Sequence, residues 1–153
     1  MVRFEKRGDS FAVTACGVDL SKPLSDADFA DVLGVSARTA LLPRSVTSRP
    51  GRLYGFSSRF GRLHQSSVNT YFVPGPPAVT ILSNIQESGK QIGVEDAGQE
   101  WHSGMPYTKT LGFINVLLAR KVPMRDGRPL GATLFTNTQA AYDDLSADVK
   151  KRL

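Results

Sequence analysis

The run Leu111-Gly112-Phe113-Ile114-Asn115-Val116-Leu117-Leu118-Ala119-Arg120-Lys121-Val122 decides how the rest of the chain is read. It is too apolar for a solvated element, and its periodicity fits a buried helix and a buried strand equally well. Its surroundings are easier to place. Residues 124–131 hold two glycines, a proline and three charges, which predicts a loop. Ala132 to Phe135 reads as a short strand. Thr138 can cap a helix over 139–145, and Ser146 another over 147–153, where Lys150, Lys151 and Arg152 complement the dipole. Upstream, residues 86–100 are polar and glycine-bearing, which predicts a long loop. Ala78 to Ile85 reads as a strand with Val79 and Ile81 on one face. Val-Pro-Gly-Pro-Pro at 73–77 is a rigid turn that cannot be a central strand.

The first third is punctuated differently. Residues 2–23 read as short strands and turns, with Phe11, Val13 and Ala15 alternating as a half-buried strand requires. Ser-Asp-Ala-Asp at 25–28 resembles a capping box with Asp28 in place of the usual Glu. The helix it opens has Phe29, Val32 and Leu33 as its apolar stripe, and Gly34 is expected to end it. Pro43, Pro50, Gly51 and Gly55 are expected to break any long element over 41–55. Phe56 to Leu63 is short, aromatic and basic.

Composition narrows the class. A length of 153 residues suits one domain, and 41% apolar with 22% charged residues is ordinary for a globular chain. No window approaches 18 consecutive apolar residues, so no membrane-spanning helix is expected. The opening MVRFEKRGDSFAV lacks the apolar core of a secretory signal. Cys16 stands alone, which excludes an internal disulfide and a thiolate metal cluster and fits a reducing cytoplasm. The net charge of +5 is scattered, apart from Lys150, Lys151 and Arg152. That argues against a nucleic-acid partner and leaves room for a basic cleft that takes an anionic substrate.

Two histidines carry what metal or acid–base chemistry there is, His64 and His102. His102 lies in Gly98-Gln99-Glu100-Trp101-His102-Ser103-Gly104-Met105-Pro106-Tyr107. Alone, a histidine after a polar loop is as readily a hydrogen-bonded surface residue as a ligand. Its neighbours add to this. Asn84-Ile85, Gly89-Lys90-Gln91-Ile92-Gly93, Asp96-Ala97-Gly98 and Trp101-His102 precede it. Leu118 to Pro123, Thr133-Leu134-Phe135, Asn137 and Ala140 to Leu145 follow it. Gly17-Val18-Asp19-Leu20, Pro23-Leu24-Ser25 and Ser58 to His64 lie upstream. In this order the segments resemble the taurine-dioxygenase (TauD/TfdA) family over nearly the whole chain, most densely from 79 to 145.

The resemblance implies a mainly β fold with flanking helices, a double-stranded β-helix or jelly roll. Half of its strands come from the C-terminal part. Residues 1–153 are therefore expected to form a single, incomplete domain, a partial barrel truncated at its C-terminus. The segment Leu41-Leu42-Pro43-Arg44-Ser45 departs from the family, and Pro43 is expected to interrupt the strand there. The resemblance also implies Fe(II) and 2-oxoglutarate as cofactors, a small organic acid as substrate, and hydroxylation as the reaction. In the family two histidines and a carboxylate hold Fe(II) on one face and leave the remaining positions open. His102 matches the first histidine as the metal ligand. Gly104 stands where the family has Asp, and it has no side chain with which to coordinate. Thr133 matches a contact to 2-oxoglutarate, and Asn84 and Tyr107, with Thr108, are candidates for the substrate end.

The distal histidine and the cosubstrate arginine of the family lie far downstream of the first ligand. His64 precedes it, Arg120 and Arg125 are not in the arginine's position, and so no catalytic residue is assigned. Asp96 and Glu100 are near enough in sequence to offer a carboxylate, but read more simply as solvated loop residues. Gly104 thus implies a degenerate, inactive dioxygenase. Alternatives are a non-catalytic remnant or half-domain completed by a second chain or a homo-oligomer, and a halogenase-like site in which a halide replaces the carboxylate.

Overall fold

Val2, Ala15, Val18, Leu20 and Val32 form one buried cluster, and everything near it is built to close over it. The computed structural model describes residues 1–37, 39–43, 50–65, 71–75, 78–106 and 108–153. Strand β1 (Arg3–Lys6) pairs antiparallel with β2 (Ala12–Cys16), Phe4 opposite Ala15. The turn between them is held by the Arg7 carbonyl, which accepts from Ser10 N at 3.2 Å and from Ser10 Oγ at 2.7 Å. Helix α1 (Asp26–Ser36) then crosses to β3 (Ala40–Pro43), which lies parallel to β2 on its other side. The sheet order β1-β2-β3 leaves β3 at an edge. Pro43 is the last residue of that edge strand, opposite Ala15, and an edge strand is where a sheet tolerates a residue without an N–H. Arg44 to Arg49 lie outside the described residues.

Ser25 caps α1 as its sequence predicts, its hydroxyl accepting from Asp28 N at 3.1 Å. The Asp28 carboxylate does not return to the Ser25 backbone. It accepts from the Ser25 hydroxyl at 2.7 Å and from Val2 N at 3.1 Å, which ties the start of the chain to the helix. That hydrogen bond from Ser25 is the chief reason the Asp28 carboxyl is held below its ordinary range. Phe29 and Val32 are buried, while Leu33 is half out. Gly34 does not end α1, which continues to Ser36 with Ala37 as its cap. A glycine inside a helix costs only about 1 kcal/mol, which the packing of Phe29 and Val32 offsets.

Helix α2 (Pro50–Ser58) overturns the expectation that Pro50, Gly51 and Gly55 break the segment. Pro50 is its first residue, where the absent N–H has no helical partner to lose. Phe29, Phe56 and Phe60 meet edge to face, with centroids 4.8 to 6.2 Å apart. Arg59 fastens this cluster. Its guanidinium lies 4.1 Å over the Phe29 ring and donates to the Leu24 carbonyl at 2.6 Å and to Asp26 Oδ1 at 2.7 Å.

The middle of the chain is a ladder of single bridges. Residues 78–85 form no named strand. Phe72 pairs antiparallel with Thr80, and Leu82 pairs parallel with Val94. Ile81 N donates to Tyr71 O at 2.8 Å and Val94 N to Ile81 O at 2.9 Å. Gly93 is buried, and a Cβ there would stand 2.8 Å from Ser83 N and 2.9 Å from Ile81 O, so the close approach requires glycine. The loop expected over 86–100 contains a hairpin, β4 (Gln86–Glu87) and β5 (Lys90–Gln91). Its turn residues Ser88 and Gly89 have φ of 51° and 73°, the left-handed pair that a two-residue hairpin turn requires. Of the 73–77 turn, Pro76 and Pro77 lie outside the described residues.

Beyond this ladder the expectations of burial fail. Every buried apolar residue among those described lies between Val2 and Leu53. Leu111 to Val122 belongs to no helix or strand, and Leu111, Phe113 and Leu117 are each more than 60% exposed. Residues 132–135 form no strand either, and Leu134 and Phe135 are exposed. An apolar strand holds only against a partner, and among the described residues no strand pairs with either segment. The loop over 124–131 is a tight hairpin, β6 (Met124–Arg125) with β7 (Arg128–Pro129), turned on Asp126 and Gly127. Helix α3 (Thr138–Asp143) is capped by Asn137 rather than Thr138. The Asn side chain accepts from Ala140 N at 3.1 Å, and asparagine is the better cap of the two. Ser146 caps α4 (Ala147–Lys150) as expected, and Lys150 donates back to the Asp143 carbonyl at 2.7 Å. No described helix is long and apolar enough to cross a membrane.

Candidate functional site

Gly98 takes φ +80 and turns the chain back so that a Cβ there would come 3.5 Å from His102 Cε1. The imidazole of His102 lies against this bare backbone, exposed to solvent like its neighbour Trp101. Its Nδ1 lies 2.7 Å from the Glu100 carbonyl oxygen. A carbonyl can only accept, so in the neutral ring Nδ1 carries the proton and Nε2 keeps its lone pair. An outer hydrogen bond of this kind orients a ligating imidazole and raises its basicity. The Glu100 side chain takes no part, and Asp96 and Glu100 are both exposed loop residues.

Two residues on, Gly104 is exposed and contributes no donor. The room beside it is taken by Asn115, whose Nδ2 lies 2.5 Å from where a Cβ on residue 104 would stand. The next residue, Met105, has φ 56°, a left-handed conformation that non-glycine residues adopt only when something holds them. Thr108 supplies that hold. Its hydroxyl donates towards the carbonyls of Met105 at 2.9 Å and Thr110 at 2.8 Å. The side chain expected to line the mouth of the site is therefore spent on its own turn.

Asn84 and Thr133 are exposed, and no hydrogen bond or ion pair joins either to His102. Tyr107 lies outside the described residues. His64 is exposed, at the far end of the segment that follows α2. Among the described residues no three His, Cys, Asp or Glu side chains converge as a metal centre would need. One oriented imidazole does not hold Fe(II), because affinity comes from several converging ligands. The residues present thus do not fit the family's iron site.

Asn115 and the Glu100 carbonyl were not singled out by sequence. A polar residue inside the apolar run 111–122 was the one available signal for Asn115. The Glu100 carbonyl leaves no trace in residue type, since any residue supplies one.

The chain matches the model of the taurine catabolism dioxygenase TauD, TfdA family over residues 4–153. It is 27% identical over 150 residues to a pentalenolactone F synthase of Streptomyces avermitilis, covering 95% of this chain and 48% of the relative. It is 33% identical over 99 residues to a pentalenolactone F synthase of Streptomyces arenae, covering 64% of this chain and 32% of the relative. The chain thus spans about half the length or less of the curated relatives it matches.

Proposed function

Because the chain belongs to the TauD/TfdA dioxygenase family, we propose that residues 1–153 are one incomplete jelly-roll domain, the His102-bearing part of an Fe(II)- and 2-oxoglutarate-dependent dioxygenase. The parent reaction couples oxidative decarboxylation of 2-oxoglutarate to hydroxylation of a small organic acid. His102 is its one protein ligand in this chain, Thr133 its contact to 2-oxoglutarate, and Asn84 and Tyr107 its candidates for the substrate pocket. The relatives' name, pentalenolactone F synthase, supports a small organic molecule as substrate.

The observation that carries this reading is the contrast within three residues. The Glu100 carbonyl holds His102 Nδ1 and leaves Nε2 free, while at Gly104 a ligand is missing. The chain therefore keeps the entry to a metal site without a ligand set, and we expect it to be inactive alone. With Fe(II), ascorbate, oxygen and 2-oxoglutarate, succinate should form no faster than in the protein-free control. Succinate formation above that control, abolished by His102→Ala, would contradict the reading.

A further inference from the structure

The β6–β7 hairpin sets two cations against each other. Arg125 stands directly opposite Arg128 in its antiparallel register. Residues so placed project their side chains from one face, with Cβ atoms about 5 Å apart, and like charges there repel. The backbone holds them in place. The two turn residues between them, Asp126 and Gly127, have φ of 49° and 73°, and Leu130 N donates to Pro123 O at 2.8 Å behind them.

No carboxylate answers this pair. Both arginines are exposed, and among the described residues neither makes an ion pair or a hydrogen bond, although Asp126 is their neighbour in the turn. Arg120 and Lys121 are exposed and equally unpaired. From residue 101 to 142 the chain has five Lys and Arg residues (Lys109, Arg120, Lys121, Arg125, Arg128) against one acid, Asp126, so the surroundings do not neutralise the hairpin. Along the chain these cations are scattered, and only the strand register brings two of them together.

The ligand that relieves this repulsion is an anion that two guanidiniums can grip at once. A phosphate group fits, with about two negative charges and three acceptor oxygens, whereas a carboxylate carries one charge and is matched by a single guanidinium fork. A nucleic-acid backbone asks for cations spaced along a stripe. Here the paired cations stand at one point, flanked by the exposed apolar Met124 and Leu130. We propose that the β6–β7 hairpin is an anion site in which Arg125 and Arg128 hold one phosphate group, free or carried by a small soluble ester, with Arg120 and Lys121 adding to the field. The inference uses neither His102 nor the dioxygenase reading.

An amide NMR titration of the chain at constant ionic strength tests it. Inorganic phosphate should shift the Gly127 and Arg128 amides saturably, and acetate should bind about tenfold more weakly, the scale of one charge-assisted hydrogen bond. Arg125→Gln and Arg128→Gln should each weaken phosphate binding about tenfold for the same reason, with the β2 amides unchanged. Asp126→Asn keeps a residue suited to the turn and removes the nearest negative charge. It should tighten binding about two- to fivefold, a gain that misfolding cannot produce. Lys150→Gln with Lys151→Gln, in the other basic cluster, should change nothing. Phenyl phosphate binding more tightly than inorganic phosphate assigns the site to an ester, and equal or weaker binding assigns it to free phosphate. Four results would overturn the proposal. One is no saturable shift with phosphate. Another is acetate binding as tightly as phosphate. The third is affinity that either Gln variant or Asp126→Asn leaves unchanged, or that the Lys150 and Lys151 variant lowers as much. The fourth is a short DNA duplex shifting the same amides at far lower concentration than phosphate does, which would make the hairpin a reader of polymer charge.

Discussion

Gly104 and Asn115 are a matched pair at the scale of single residues. The absence of a side chain on one is what gives the other's amide its place, 2.5 Å from the Cβ position. Gly104→Asp would put a carboxylate where Asn115 must turn aside, which an exposed amide at the end of a flexible side chain can do. Once turned, Nδ2 can donate to the new carboxylate. A hydrogen bond to the charged form lowers a carboxyl pKa. We therefore predict that the introduced carboxyl titrates below the ordinary Asp value of about 3.9, and that Asn115→Ala returns it to that value. Side-chain NMR titration reads both, and an unshifted carboxyl in the single variant would refute the pairing. His102 was singled out in the sequence because Trp101-His102 sits in an ordered series of segments. The partner of its Nδ1 was not, because a backbone carbonyl is set by the turn at Gly98.

Asp28 belongs to the same scale. Its carboxyl is held low, first by the Ser25 hydroxyl, with help from Val2 N. A folded pKa below the unfolded one means stability that is present above the unfolded value and lost as pH falls through the folded one. The destabilisation caused by Asp28→Ala should thus be full at neutral pH and shrink below about pH 4. Thermal unfolding of both proteins from pH 7 to 2.5 checks this, and a difference independent of pH would contradict it.

At the scale of elements, the caps at Ser25 and Ser146 were legible, the cap at Asn137 was misplaced by one residue to Thr138, and the stops were not legible. Ser25 and Ser146 both cap the helices they predict, because a side-chain acceptor before an apolar stripe is a local signal. Gly34 and the Pro50-Gly51 pair misled, because packing of Phe29, Val32, Phe56 and Phe60 outweighs a propensity penalty of about 1 kcal/mol. The ladder around Gly93 was invisible for a different reason: its contacts join residues from three separate segments. Gly93→Ala would press a methyl onto Ser83 N and Ile81 O, which are backbone and cannot yield cheaply. We predict a loss of about 1–3 kcal/mol, read as faster exchange of the Ser83 and Val94 amides. Unchanged exchange at both amides would show that the ladder is not held this way.

For the whole molecule, the sequence placed the core and the uncovered surface together and could not tell them apart. Val18, Leu20 and Val32 are buried, whereas the equally apolar Leu111 to Val122 is not. Apolarity says that a residue needs cover, and only the neighbours available decide whether it has it. Among the described residues the paired strands make two short hairpins and one three-stranded sheet.

We propose that His102 is one oriented ligand of a dioxygenase centre and that the rest of the set is not assembled among the described residues. An anaerobic Fe(II) titration in the presence of 2-oxoglutarate tests it most directly, followed at the metal-to-cosubstrate charge-transfer absorption. We predict no saturable band and no stoichiometric iron on the purified chain, since a single exposed imidazole at His102 offers one bond where several are needed. A band that saturates at one iron per chain and disappears in His102→Ala would contradict it.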